Sequence, residues 1–151
     1  MSKQRTFVMI KPDAVQRGLI GDIIGRFEAK GIKIVGMKLV SVSRELAEKH
    51  YGVHKGKPFF EPTVSFIISS PVVAMVLEGI NCIEIVRNMM GKTNPVEASP
   101  GTIRGDYGQF IGRNIVHGSD GPDTAEFEIN LWFSFEELAD YKRIDEEWLT
   151  E

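Results

Sequence analysis

The chain has 151 residues and a mass of 16.9 kDa, with 42% hydrophobic and 26% charged residues. That balance suits one globular domain spanning 1–151 and excludes a disordered, collagen-like or coiled-coil polypeptide. Eighteen Lys+Arg against 21 Asp+Glu leave a formal charge of −3, so nucleic acid is not expected as the main partner and any anion site must be local.

In chain order, Thr6-Phe7-Val8-Met9-Ile10 is an apolar run of strand length that stops at Lys11-Pro12. Ile20, Ile23, Ile24 and Phe27 recur at i, i+3, i+4 and i+7, one stripe of a helix that Gly31 is placed to end. Ile32 to Val42 reads as a second strand, and Ser43 is positioned to cap a helix over Arg44 to Tyr51. Val72 to Leu77 is continuously apolar, as a strand covered on both faces would be. Ile83, Val86 and Met90 form another helical stripe, closed by Gly91. Residues 92–112 show no periodicity and carry Pro95, Pro100, Gly101, Gly105 and Gly108; loops this long inside a compact domain usually bind something. Arg113 to Val116 could add a fourth strand. Residues 125–133 fit both periods, but Asp123 with Glu126 three residues later suggests a capping box behind Pro122, which favours helix. Met37, Met75, Met89 and Met90 read as core. The alternation of strands and helices predicts a sheet with helices packed on it.

Cys82 is alone and cannot form an intramolecular disulfide, and with three histidines no zinc-spaced Cys/His set exists. No apolar signal region separates Met1-Ser2-Lys3-Gln4-Arg5 from Lys11-Pro12-Asp13. The longest uncharged stretch, Pro62 to Leu77, is too short to span a bilayer and contains Ser69, Ser70 and Pro71. A cytoplasmic protein with no membrane partner is expected.

The P-loop, dinucleotide-binding and protein-kinase signatures are absent. Between Pro58 and Tyr141 the only Lys or Arg residues are Arg87, Lys92, Arg104 and Arg113. Guanidinium forks match phosphate oxygens, so this window is either a polyphosphate cradle or a set of solvated surface charges. Just beyond it, His117 lies in Asn114-Ile115-Val116-His117-Gly118-Ser119-Asp120-Gly121, among small and polar neighbours that would let a substrate approach. An imidazole titrates ordinarily near about 6.5 and keeps a lone pair at neutral pH, so it serves as nucleophile or base if its other nitrogen is held. Asp120 and Glu128 are the nearby carboxylates for that task, and spacing alone does not choose between them. A satisfied structural histidine would fit the same pattern. His50 and His54 suggest no chemistry.

Asn114-x-x-His117-Gly118-Ser119-Asp120 resembles the active-site signature of nucleoside diphosphate kinases. The resemblance covers nearly the whole chain: Lys11-Pro12-Asp13, Pro58-Phe59-Phe60, Gly91-x-Thr93-Asn94-Pro95, Pro100-Gly101-Thr102-Ile103-Arg104-Gly105-Asp106 and Gly112-Arg113-Asn114 fall in the family's order. It implies an α+β, ferredoxin-like βαββαβ antiparallel sheet with helices packed on it. It also implies ping-pong transfer of the γ-phosphate of a nucleoside triphosphate to a nucleoside diphosphate through a phosphohistidine on His117. By the same likeness Glu128 orients the imidazole and Ser119 bonds that carboxylate. Lys11, Tyr51, Arg87, Thr93, Arg104 and Asn114 match phosphate, ribose and transition-state contacts, and Ile111 falls among the substrate-binding positions. Phe59 matches a base-stacking aromatic, whereas Phe60 reads as core. Mg2+ would ride on the nucleotide phosphates, with Asp120 reaching it through water.

One departure from the family pattern is Thr63, preceded by Pro62, where the second jaw of the base clamp is usually a branched aliphatic residue. The long loop and the C-terminal Trp148-Leu149-Thr150-Glu151 resemble the hexameric members, which are built from dimers. A non-catalytic nucleotide- or nucleic-acid-binding relative would have lost His117 or Glu128, and a protein-histidine phosphotransfer module would lack Phe59 and Arg104.

Overall fold

The computed structural model describes residues 3–151. In chain order it contains β1 (Lys3–Ile10), α1 (Pro12–Gln16), α2 (Ile20–Ala29), β2 (Lys33–Val40), α3 (Arg44–His50), α4 (Phe60–Ile67), β3 (Val72–Ile80), α5 (Cys82–Met90), α6 (Ile103–Tyr107), β4 (Val116–Gly118) and α7 (Pro122–Trp132). The strands make one antiparallel sheet in the order β2-β3-β1-β4, which is the ferredoxin-like arrangement.

The central strands are buried on both faces, and their alternation feeds two separate cores. Phe7 and Met9 of β1 and Val72, Ala74 and Val76 of β3 pack with Ala47, Phe60, Val64, Ile67, Ile129 and Trp132 from α3, α4 and α7. The residues between them, Val8, Ile10, Val73, Met75 and Leu77, pack with Ile23, Phe27, Val86, Met90 and Ile103 from α2, α5 and α6. A continuous apolar run in β3 is thus the signature of a strand sandwiched between two helical layers.

Several expectations change. The fourth strand covers Val116–Gly118 rather than Arg113 to Val116, because Ile115 adopts φ +78° and a three-residue turn, with Val116 N–H donating to Asn114 O at 2.8 Å, interrupts the extended chain. Helix α7 forms, but Gly121 caps it without any side chain, and Asp123 lies inside its first turn; the reciprocal box forms instead between Ser134 and Glu137. Ser43 does cap α3, accepting from Leu46 N–H at 3.1 Å. Met75 and Met90 are fully buried, whereas Met37 is 54% exposed on the edge strand β2, where one flank has no neighbouring strand to cover it. Three short helices, α1, α4 and α6, had no periodic signal; α4 tolerates Pro62 because it sits in the first turn, where no intrahelical N–H is needed. Helix α6 breaks up the loop foreseen over 92–112.

Candidate active site

Residues from six distant parts of the chain meet at the end of β4. His117 pairs with Met9 across the β1–β4 ladder, so its ring emerges on the face covered by α3 and α7. Its Nε2 lies 3.0 Å from both carboxylate oxygens of Glu128. Glu128 is buried on α7, and its Oε1 also accepts a 2.7 Å hydrogen bond from the Ser119 hydroxyl. Ser119 is itself fixed, since its Oγ accepts from Phe7 N–H at 3.2 Å. The carboxylate therefore has a defined orientation, and a carboxylate accepts only, so Nε2 carries the hydrogen and Nδ1 holds the lone pair. The His117 side chain is 22% exposed against 5% for Glu128, which leaves Nδ1 to the solvent side. Of the two partners open from spacing, the structure selects Glu128. Asp120 accepts from the Thr124 hydroxyl at 2.6 Å and stands exposed at the rim.

The turn that delivers His117 is strained and heavily braced. A β-branched residue at φ +78° costs of order 1–3 kcal/mol. Asp13 Oδ2 accepts from Ile115 N–H at 3.0 Å, and Lys11 N–H donates to Ile115 O at 2.9 Å. Arg104 is buried and donates Nε to Asn114 O at 3.1 Å, Nη2 to Val116 O at 2.7 Å and Nη1 to Gly91 O at 3.0 Å. Asn114 closes the frame, accepting from Lys11 Nζ at 2.8 Å and donating to Thr93 O at 3.2 Å.

These cations are poorly compensated. Burial first, then the neighbouring Arg104 charge, pulls Lys11 down to about 8, with Asp13 opposing. Burial and Arg87 pull Arg104 down to about 10. Arg87 is exposed and donates to Gly118 O at 3.2 Å, beside the histidine. Positive charges set close enough to depress one another are an arrangement that suits an anion.

A cleft of about 530 Å³ opens over His117, lined by His50, Tyr51, His54, Arg87, Asp120 and Glu128 among others; of the cations just described only Arg87 reaches it. The Tyr51 hydroxyl is buried without a partner, and burial followed by the Glu128 charge holds it well above its ordinary value. Phe59 is 48% exposed, with its ring centroid 5.0 Å from the edge-on His54, while Phe60 beside it is buried. Thr63 lies one turn further along α4, its N–H donating to Phe59 O at 3.1 Å. Ile111 is exposed, and Thr93 and Lys92 line a polar hollow with Arg87. Phe59, Thr63, Ile111 and Asp120 thus stand outside the hydrogen-bonded centre. Arg113 departs from the cation window and stacks over Phe66 with its guanidinium carbon 4.2 Å from the ring centre.

His50 is the residue that sequence reasoning missed. It is buried, its ring centroid is 4.9 Å from that of His117, and its Nδ1 receives Trp132 Nε1–H at 3.0 Å. A faint signal existed: Trp132 follows Glu128 by four residues on α7, so both face one neighbour.

The chain matches the family model described as nucleoside diphosphate kinase over residues 4–138. A nucleoside diphosphate kinase of Picosynechococcus sp. is 66% identical over 148 residues, covering 98% of this chain and 99% of the relative. One of Archaeoglobus fulgidus is 57% identical over 148 residues, covering 98% of each. A halophilic nucleoside diphosphate kinase from Halobacterium salinarum, solved in complex with CDP, superposes with a TM-score of 0.97 at 53% identity, covering 99% of this chain and 100% of that one.

Proposed function

The chain belongs to the nucleoside diphosphate kinase family and has that family's activity, and from this premise we propose that the transferred phosphoryl group passes through Nδ1 of His117. The observation that carries the assignment is the capture of Nε2 by both Glu128 oxygens at 3.0 Å, which leaves one nitrogen free toward the cleft. In the first half-reaction the Nδ1 lone pair attacks the γ-phosphorus of a nucleoside triphosphate. The Nδ1–P bond forms, the bridging P–O bond breaks, and the diphosphate leaves with the electron pair. In the second, a terminal oxygen of another nucleoside diphosphate attacks the same phosphorus and the Nδ1–P bond breaks. The Nε2 proton stays on the ring throughout, facing Glu128.

Charge spreads over the equatorial oxygens as the phosphoryl group moves, and fixed cations stabilise it more than they stabilise the ground state. Arg87 is the exposed cation beside His117; Lys11 and Asn114 form a bonded pair suited to a sugar hydroxyl and the adjoining phosphates. Arg104 acts mainly through the backbone it braces and through its field. Tyr51, Thr93 and Ile111 complete the substrate contacts, and Phe59 offers a ring face to any base, with Thr63 as the opposite jaw. Among the described residues Glu128 is the buried carboxylate facing the reacting ring, and it is committed to His117 and Ser119, so the donor set fits an ion that arrives on phosphate oxygens. Mg2+ held in that way would neutralise phosphate charge, and Asp120 at the rim would reach it through water.

The exposed edge strand β2, with Met37 and Leu39 uncovered, together with exposed Trp148 and Phe135, supports assembly into dimers and thence a hexamer. Among the described residues no helix is long and apolar enough to cross a membrane, and the buried thiol of Cys82 suits a reducing, cytoplasmic setting. The test is incubation with γ-labelled ATP and Mg2+, removal of nucleotide, then addition of GDP. A base-stable, acid-labile phosphoprotein should form, discharge to GTP, and be absent in His117→Ala; label retained in that variant overturns the assignment.

A further inference from the structure

Behind the reacting ring lies a second imidazole that the mechanism above leaves unused. His50 ends α3 with its side chain 1% exposed. Trp132 donates its indole N–H to His50 Nδ1, and an indole only donates, so Nδ1 must hold a lone pair. The ring's hydrogen then sits on Nε2, which points at Glu128 Oε2 from 3.7 Å. That distance is too long for a hydrogen bond but short enough for the N–H dipole to act on a buried carboxylate. Trp132 and Glu128 are neighbours on one face of α7, and α3 packs on that face, so the chain Trp132, His50, Glu128, His117 is laid down by helix packing.

We propose that His50 is a positioning residue for phosphoryl transfer: fixed as its Nε2–H tautomer by Trp132, it steadies Glu128 Oε2 and limits how strongly that carboxylate holds the proton on His117. The inference rests on the reading of His117 as the phosphoryl carrier. Ser119 satisfies Oε1, and besides His117 and His50 no side chain among the described residues bonds or ion-pairs with Oε2; the Tyr51 hydroxyl is close enough to feel the carboxylate's charge but makes no hydrogen bond to it. An under-satisfied, buried carboxylate favours the doubly protonated ring, which has no lone pair to attack phosphorus.

The environment keeps His50 uncharged. Burial first, then His117 and Lys11, drive it well below its ordinary range, and the facing groups are Glu128 on α7, His117 on β4, Lys11 after β1 and Tyr51 at its own helix end. His50, His117 and Glu128 offer ligand atoms within 4.8 Å of one another, the composition of a cation site. The Trp132 bond argues against that use, because Nε2 would have to lose its proton while Nδ1 remains an acceptor.

His50→Phe should lower kcat/KM by roughly tenfold to a hundredfold, the size seen when a partner that orients a functional imidazole is removed. It should also move the acid limb of the kcat/KM–pH profile upward by roughly half a unit or more. His50→Gln, whose amide N–H occupies nearly the same place as Nε2–H, should restore the limb. Trp132→Phe should shift it less, since His50 then samples both tautomers. The double variant His50→Phe/Trp132→Phe removes both polar partners and guards against an orphaned indole preventing folding. If the folded double variant keeps the acid limb of the unmodified protein and loses only thermal stability, His50 is core and the proposal is wrong. Absence of the phosphoenzyme in the unmodified protein would instead overturn the assignment of His117 itself.

Discussion

Two lysines at opposite ends of β1 and β2 show how the same side chain serves structure in one place and chemistry in another. Lys33, on β2, is buried with its Nζ 3.2 Å from Glu78 and 3.2 Å from Glu146, and it donates to the Tyr141 carbonyl. Burial pulls it down, but the bonds to Glu78 and then Glu146 outweigh that, and the ammonium is held above its ordinary value. Lys11, just after β1, has no carboxylate in ion-pair reach among the described residues; its acceptor is the neutral Asn114 oxygen at 2.8 Å. Burial and Arg104 therefore prevail and hold it at about 8. Lys33 ties Tyr141 and Glu146, beyond α7, to the sheet with its charge already answered. Lys11 has no such counter-ion among the described residues. Where a buried cation lacks its counter-ion, the missing charge describes the ligand.

The largest expected effect comes from removing the uncompensated member. Lys11→Met should reduce kcat/KM by roughly 10²–10³, as the loss of a fixed transition-state charge does, while raising Tm by roughly 2–4 °C, or about 1 kcal/mol. Steady-state kinetics and thermal melts on one preparation check both signs. A variant that loses activity and stability together would make Lys11 an ordinary structural residue. The opposite pattern is expected at the other end: Lys33→Met should leave turnover unchanged and cost about 2 kcal/mol, lowering Tm by roughly 4–8 °C, because Glu78 and Glu146 lose a buried partner. The cost stays below that of stranding an isolated charge because Arg5 still bonds Glu78 at 2.7 Å.

The two lysines also separate in pH. Lys11 needs its charge to attract phosphate, so kcat/KM should fall as pH rises through about 8, whereas kcat should hold to higher pH, since bound anion restores the proton. Stability should run the other way. A lysine whose folded value is depressed binds fewer protons folded than unfolded between about 8 and its ordinary value near 10.4, so Tm gains with pH across that window and the gain is missing in Lys11→Met. Lys33→Met should retain both behaviours.

Legibility in the sequence follows the same division. The sheet and its long helices could be read because burial imposes period: Ile20 to Phe27 and Val72 to Leu77 announce which faces meet the cores. The short helices could not, since α6 owes its start to Thr102, whose hydroxyl accepts from Gly105 N–H at 3.0 Å, and to Gly105, where any Cβ would run into the Ser99 carbonyl. The chemical residue types of the site were visible through the motif around His117. Their division of labour was not. Arg104 looks like a phosphate ligand in sequence, yet two of its nitrogens hold the carbonyls on either side of Ile115 and a third holds that of Gly91, and the positive φ at Ile115 explains why such bracing is needed. His50 was invisible because its meaning lies in an acceptor nitrogen facing Trp132, a long-range contact with no local pattern.

The smallest effect concerns the proposed base clamp at Phe59 and Thr63, apart from the buried ions, where the contrast between paired and unpaired cations should vanish. Thr63 follows Phe59 by four residues at the start of α4, so its side chain leans back over the turn that carries the exposed ring. Threonine offers little apolar area there, and Leu would add a branched surface facing any base stacked on Phe59. Thr63→Leu should tighten ADP and CDP alike, by about twofold to fourfold in Kd, with kcat unchanged, as titration calorimetry and phosphoenzyme turnover would report. Equal gains for purine and pyrimidine are the point, since a ring face and an aliphatic jaw grip a base without reading its edge. A tenfold or greater loss of turnover would mean that Thr63 touches the reacting phosphates instead, and the base would have to sit elsewhere than on Phe59.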